Sequence, residues 1–304
     1  MSMTLDQVSQ YIEQAGIPGR DLYDLPESSL RFPDGAHYRF ELSAIENMVV
    51  LEAVVKEMQR RRMKIHRVNA FFQGGVLYDR SEIRDFVQLA DESGIEVIAI
   101  PGTRVWWDIG RQAGSSEGAR CGIYHRGSDE LRKATTEMLR YYEEGVRGFF
   151  VNDIGWLDLL HTMQEQGNFP KDVVFKVSAS CSPNHAAAVR MLERIGAGSV
   201  NPGCDLPLPV LASIRQPIGI PMDVFVYAPL SLGGVNRMYN VVDIIRICAP
   251  VYLRIDPGPE LTQGLNQPWT PDDMYIRLAM KKVRYASIVN EIVRENAPEL
   301  KASE

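Results

Sequence analysis

From residue 37 onward the chain alternates two hydrophobic patterns. Short runs rich in β-branched and aromatic residues, at 37–43, 66–72, 96–101, 148–153, 173–180, 199–202, 221–227 and 250–256, have the two-residue period of strands. Between them, 44–62, 81–94, 128–145, 155–166, 184–195, 207–215, 240–248 and 271–294 carry apolar residues three to four apart, the spacing of amphipathic helices. In the first of these helices Leu51, Val54, Val55 and Met58 form one stripe, and Ser43-x-x-Glu46 has capping-box spacing. The last opens with Thr270 as cap, Pro271 in the first turn, and Asp272 and Asp273 on the positive end of the dipole. Its apolar set is Ile276, Met280 and Val283.

Strict βα alternation implies parallel strands joined by right-handed crossovers. Eight such units over about 255 residues predict a (β/α)8 barrel of TIM type. An open doubly wound sheet is the alternative, but the first βα junction lacks its Gly-x-Gly-x-x-Gly turn. The expected organisation is a cap segment at 1–36 with a helix near 4–15, a barrel at 37–297, and a frayed tail at 298–304.

Helices cover a parallel barrel, so outward strand faces must be apolar and polar residues are displaced inward. The strand HYRFELSA sets Tyr38, Phe40 and Leu42 against Arg39, Glu41 and Ser43. In VYLRID, Val251, Leu253 and Ile255 alternate with Tyr252, Arg254 and Asp256; in FKVSAS, Phe175, Val177 and Ala179 alternate with Lys176, Ser178 and Ser180. DVFVY opposes Val224 and Val226 to Asp223, Phe225 and Tyr227, and RVNAFFQ groups Arg67, Asn69, Phe71 and Gln73. Charges turned inward must pair or meet ligand. Arg39, Arg67 and Asp223, early in their strands, suit a self-satisfied ionic core. Glu41, Asn69, Gln73, Asn152, Ser180, Asn201, Tyr227, Arg254 and Asp256, late in theirs, suit the C-terminal mouth where barrel active sites are built. There Glu41 and Asp256 are candidate acid and base with Tyr227 beside them, Arg254 a clamp for an anion with help from Lys176, and the asparagines orienting groups. The substrate expected is small, polar or carboxylate-bearing, and either a small molecule or peptide-like.

Connections add further candidates. The long stretch 101–128 contains Trp106 and Trp107, which could close over a ligand. Cys121 with His125 and Cys181 with His185 have a Cys-x3-His spacing compatible with a nucleophile pair or metal ligation, although His185 also suits an ordinary helix start. Ser231–Gly234 could offer backbone N–H groups to a phosphate. The run Arg60–Lys64 suits a solvated helix end, where cations complement the dipole.

With 33 Lys and Arg against 39 Asp and Glu, the net charge of −6 gives no reason to expect nucleic acid as a partner. The polar start lacks a signal-peptide core, and no apolar run has membrane-span length. Four scattered cysteines do not make a disulfide scaffold. The expectation is a cytoplasmic protein with no membrane partner, compatible with homo-oligomerisation.

The stretch NHAAAVRMLERIGAGSVNPGCDLPLPVLASIR, followed by PMDVFVYAPLS, resembles peptidase family U32, the collagenase-like proteins. The likeness spans about 37–260, with the motif itself at 184–231. Asp223 stands where the family has Glu, Phe225 matches its Phe, Tyr227 replaces its His and Ser231 its Cys. The resemblance implies a barrel and a hydrolase of peptidase type, although members also act in RNA and quinone modification. Some members hold an iron–sulfur cluster through that Cys and three later ones. Only Cys248 follows Ser231 here, so no such cluster is expected. Two other functions fit the same residues: a metal-dependent lyase or aldolase, using Glu41, Asp256 and Asn201 as oxygen ligands to a divalent metal, and a non-catalytic ligand-binding subunit of another enzyme.

Overall fold

A computed structural model describes residues 4–72, 74–101, 124–228, 233–256 and 271–304. Eight strands, β1 (Tyr38–Ile45), β2 (Arg67–Ala70), β3 (Glu96–Ala99), β4 (Gly148–Val151), β5 (Val174–Val177), β6 (Ala197–Val200), β7 (Met222–Tyr227) and β8 (Val251–Ile255), form a closed barrel in sequence order. Every pairing is parallel, and β1 closes on β8 with Glu41 opposite Arg254. Among the described residues, α1 (Leu5–Gln14) is followed by eight helices that come after the strands in turn: α2 (Met48–Arg61), α3 (Arg80–Glu92), α4 (Gly127–Glu143), α5 (Ile154–Glu165), α6 (Ala186–Arg194), α7 (Leu208–Arg215), α8 (Val241–Cys248) and α9 (Asp272–Asn296). This is the (β/α)8 barrel that the alternating pattern predicts.

The outward residues Leu42, Val68, Phe149, Val177, Val200, Val224 and Leu253 join Val54, Phe86, Met138, Leu160, Leu192, Ile244 and Val283 of the helices in one buried apolar layer. Burial of that shell drives closure. Gly148 contributes at one tight point: a Cβ there would collide with Ile98 Cδ1, so its absence lets Ile98 pack where β3 and β4 pair.

Local starts and stops refine the expected ones. Strand β1 runs to Ile45, so Ser43 faces the lumen and the Ser43–Glu46 capping box does not form. Asn47 caps α2 instead, accepting from Val50 N at 3.3 Å, while Glu46 accepts from Phe72 N at 3.1 Å. Pro271 occupies the cap position of α9 rather than its first turn, and Thr270 lies outside the described residues. The buried stripe of α9 is Tyr275, Ala279, Lys282, Val283, Ala286, Val289 and Val293, with Met280 left 42% exposed. Small alanines at this contact let the helix lie close on β1 and α2. Phe71, expected inward, has φ of +59° and turns out onto Phe86, Tyr78 and Tyr141.

The N-terminal segment runs over the helix layer: Leu22 N donates to Pro209 O and Ser28 N to Arg246 O. It ends with Phe32 edge-on to Tyr252 at 5.1 Å and beneath the Arg39 guanidinium at 4.2 Å, at the N-terminal end of the barrel. The C-terminal residues pack against the barrel at β1 and His66. Ala302 bridges Tyr38 in parallel, Ser303 N donates to Tyr38 O, and the buried His66 ring holds Ser303 O at 3.0 Å. Among the described residues no helix is long and apolar enough to cross a membrane.

Candidate active site

Alternation along the strands sends one set of side chains into the lumen, and the barrel stacks them in layers. At the bottom, Arg67 lies over the Tyr252 ring at 3.3 Å and pairs with Glu96 at 2.9 Å; Arg39 reaches the same carboxylate at 2.7 Å. The middle layer centres on Lys176, wholly buried. Its Nζ lies 2.8 Å from both oxygens of Glu41 and 2.9 Å from Asp223 Oδ2. Arg67 Nη1 donates to Asp223 Oδ1 at 3.0 Å, and Ser199 Oγ donates to Asp223 Oδ2 at 2.8 Å.

Above this lies the mouth. Arg254, poised over the Phe225 ring at 4.4 Å, donates from Nη1 to Asn201 Oδ1 at 3.0 Å. Asn201 is fixed in turn by donating to Asp223 O at 2.6 Å. Asn69 Nδ2 donates to Glu41 Oε1 at 2.9 Å. Lys282 reaches in from α9: its Nζ donates to Ser43 O and lies 3.0 Å from Asp256 Oδ1. Asp256 also faces Arg254 Nη2 at 3.6 Å, too long for a hydrogen bond.

Burial opposes every charge here, and neighbours decide the outcome. Burial pushes the Glu41 carboxyl up, but the Lys176 ammonium and then the Arg254 and Arg67 guanidiniums outweigh it, so Glu41 titrates well below its ordinary range. For Asp256 burial is likewise overcome, by Lys282 and Arg254, and its pKa is lowered. At Asp223 burial wins with the help of the Glu41 charge and raises the pKa. Burial also lowers that of Lys176, whose repulsion from Arg254 and Arg67 adds to it. Of the two carboxylates on Lys176, Glu41 is the more firmly ionised.

The expected inward residues Glu41, Asn69, Lys176, Asn201, Arg254 and Asp256 thus come together, while others do not. Tyr227 is turned away: a bulge in β7 sets Phe225 opposite Arg254 but Tyr227 opposite the outward Ile255, and its ring stacks on Tyr285 of α9 at 5.4 Å. The extra residue reverses the face, as bulges do. Glu41 lies beneath the mouth, fully buried and held by Lys176 and Asn69. Cys181 and His185 do not form a thiolate–imidazole pair. His185 Nδ1 caps α6, accepting from Ala188 N at 3.2 Å, and burial pushes the Cys181 thiol up to about 12. Ser180 donates to Ser178 Oγ at 2.8 Å, and its carbonyl accepts from Tyr124 Oη at 2.8 Å, just past β5. Asn152 is half-buried beyond β4. Gln73, Trp106, Trp107, Cys121 and Ser231 lie outside the described residues; His125, the partner of Cys121 in spacing, packs on Trp156 at 4.6 Å.

Lys282 escaped the sequence pattern because it lies on a helix. Its signal was its place seven residues after Tyr275, inside the buried stripe. Among the described residues no three His, Cys, Asp or Glu side chains come together to hold a metal ion. The lumen carboxylates Glu41, Asp223 and Asp256 each already face an ammonium, so a divalent cation there would meet positive charge.

No protein-family model matches the chain, and no curated protein matches it in sequence. Among solved structures it is similar to a U32 peptidase, at 17% identity over 62% of this chain and 69% of that one with a TM-score of 0.41. It is similar also to D-psicose 3-epimerase from Clostridium cellulolyticum H10 (8% identity, 83% and 99% covered, TM-score 0.49) and to the YdjI aldolase from Escherichia coli K12 (12%, 87% and 94%, TM-score 0.48). At these identities and TM-scores the likenesses say nothing about this chain's chemistry.

Proposed function

We propose that the C-terminal mouth binds a small carboxylate-bearing molecule and acts on it by acid–base chemistry. The observation that carries this reading is the spare capacity of Arg254. One N–H is spent on Asn201, the guanidinium is fixed over Phe225, and Nε has no hydrogen-bond partner. A planar fork held this way suits a carboxylate. Asp256, held ionised by Lys282 and Arg254, is the proton acceptor, and the Lys282 ammonium beside it the proton donor. Glu41 serves by fixing Arg254 and Asn69 from below rather than by moving protons.

The resemblance of 184–231 to U32 proteins would make the scissile bond an amide in a peptide-derived substrate. In that case the nucleophile is a water activated by Asp256, since the Cys181 thiol is buried and protonated. The test is thermal stabilisation of wild type, Arg254→Gln and Asp256→Asn by a panel of carboxylates, chosen from whatever mass spectrometry finds released on denaturation. Wild type and Asp256→Asn are expected to be stabilised, Arg254→Gln not, and only wild type to turn the ligand over. A wild type indifferent to every carboxylate, or an Arg254→Gln variant stabilised as well as wild type, ends this reading.

A further inference from the structure

Among the described residues of the lumen, two buried polar atoms lack hydrogen-bond partners: Asn69 Oδ1, an acceptor, and Arg254 Nε, a donor. Both side chains converge on one oxygen, Glu41 Oε1, Asn69 through Nδ2 at 2.9 Å and Arg254 through Nε at 3.7 Å. Asn69 is wholly buried and Arg254 only 5% exposed. Buried polar groups are almost always paired, and leaving one unpaired costs stability. Elsewhere in this lumen the rule holds: Lys176, Ser199 and Asn201 are all engaged.

An orphan donor and an orphan acceptor, on side chains that meet at Glu41 Oε1, match a group that is both, namely a hydroxyl. A second carboxylate would meet the ionised Glu41 and find no proton for Asn69 Oδ1. An ammonium would face the Arg254 donor, and a methyl would leave both atoms unpaired. The Nε and Nη2 edge of a guanidinium presents two parallel donors. An α-hydroxy acid offers two oxygens, one hydroxyl and one carboxylate, at matching spacing.

Resting on the reading of Arg254 as anchor, we infer that the mouth is built for a small hydroxy acid. Its hydroxyl accepts from Arg254 Nε and donates to Asn69 Oδ1, while its carboxylate takes Arg254 Nη2. Asn69 is then the residue that selects the hydroxyl.

Isothermal titration of the full chain with matched pairs tests this: glycolate against acetate, and each enantiomer of malate against succinate. Wild type is expected to bind the hydroxy acid of at least one pair about tenfold or more tighter than its deoxy partner. In Asn69→Ala the ratio of hydroxy-acid to deoxy-acid affinity narrows to less than about threefold. Equal affinities in wild type overturn the inference while leaving Arg254 as an anion anchor. A hydroxyl preference that survives in a folded Asn69→Ala overturns the role of Asn69. No binding of either kind removes the anchor itself, and this inference with it. The wild-type comparison decides the ligand class without any variant.

Discussion

Lys176 and Lys282 are both buried lysines whose ammonium groups enter the lumen, yet their surroundings differ. Lys176 directs its three N–H bonds at carboxylate oxygens, both of Glu41 and one of Asp223, and those acids are further bound by Asn69, Arg67 and Ser199. Lys282 meets one carboxylate and one carbonyl. The same contrast separates the two halves of the barrel. Below, charges satisfy one another and the network is closed. At the mouth, Arg254 and Asn69 retain unpaired atoms. Ionic residues inside a barrel do not by themselves mark a site; unspent hydrogen-bonding capacity does.

The comparison breaks most sharply at Lys176. Lys176→Met strands two carboxylates and is expected to lower unfolding free energy by about 3–5 kcal/mol in urea titration. A loss under about 1 kcal/mol would mean that the lower network is no more closed than the mouth.

A pH titration sharpens the contrast from the bottom of the barrel. Burial holds His66 down to about 4, its ring bonded to Phe40 N and Ser303 O. A histidine whose folded pKa is depressed stabilises fully above its unfolded value near 6.5 and loses that stability as pH falls toward 4. Over that window wild type should lose roughly 2–3 kcal/mol through His66. His66→Gln should flatten the slope, and an unchanged slope would place the loss elsewhere.

Arg254→Gln is the mirror of the lysine change. It should cost no more than about 1–2 kcal/mol of stability, since the guanidinium makes one direct hydrogen bond, yet weaken carboxylate binding by about ten- to a hundredfold. A large stability loss with binding intact would invert the assignment of the halves. The smallest effect belongs to Tyr227→Phe, expected within about 0.5 kcal/mol of wild type with ligand affinity unchanged. A loss of affinity there would show that the β7 bulge does not keep the ring outside the lumen.

Much of this was legible in the sequence. The two-residue alternation in HYRFELSA and VYLRID placed Glu41 and Arg254 in the lumen because a strand's faces follow from parity alone. Parity fails where the backbone departs from a regular strand: the positive φ at Phe71 and the extra residue before Tyr227 each reversed a face without leaving a signal in the alternation. Lys282 was missed for another reason. Its stem is apolar enough to lie in a buried stripe, and only the close approach of α9 to β1 and β8 brings its amine to Asp256. Cys181 and His185 had the spacing of a reactive pair, but the helix start used the imidazole as a cap.

Residue order alone therefore determined the eightfold βα repeat, the apolar shell and the identity of most inward charges, since each follows from local periodicity and from the cost of exposing apolar surface. Which of those charges neutralise one another and which keep a free donor or acceptor was decided only when strands distant in sequence closed into a ring. Electrostatic pairing depends on distances of a few ångströms between residues as far apart as Glu41, Lys176 and Arg254, and no periodicity in the chain encodes them.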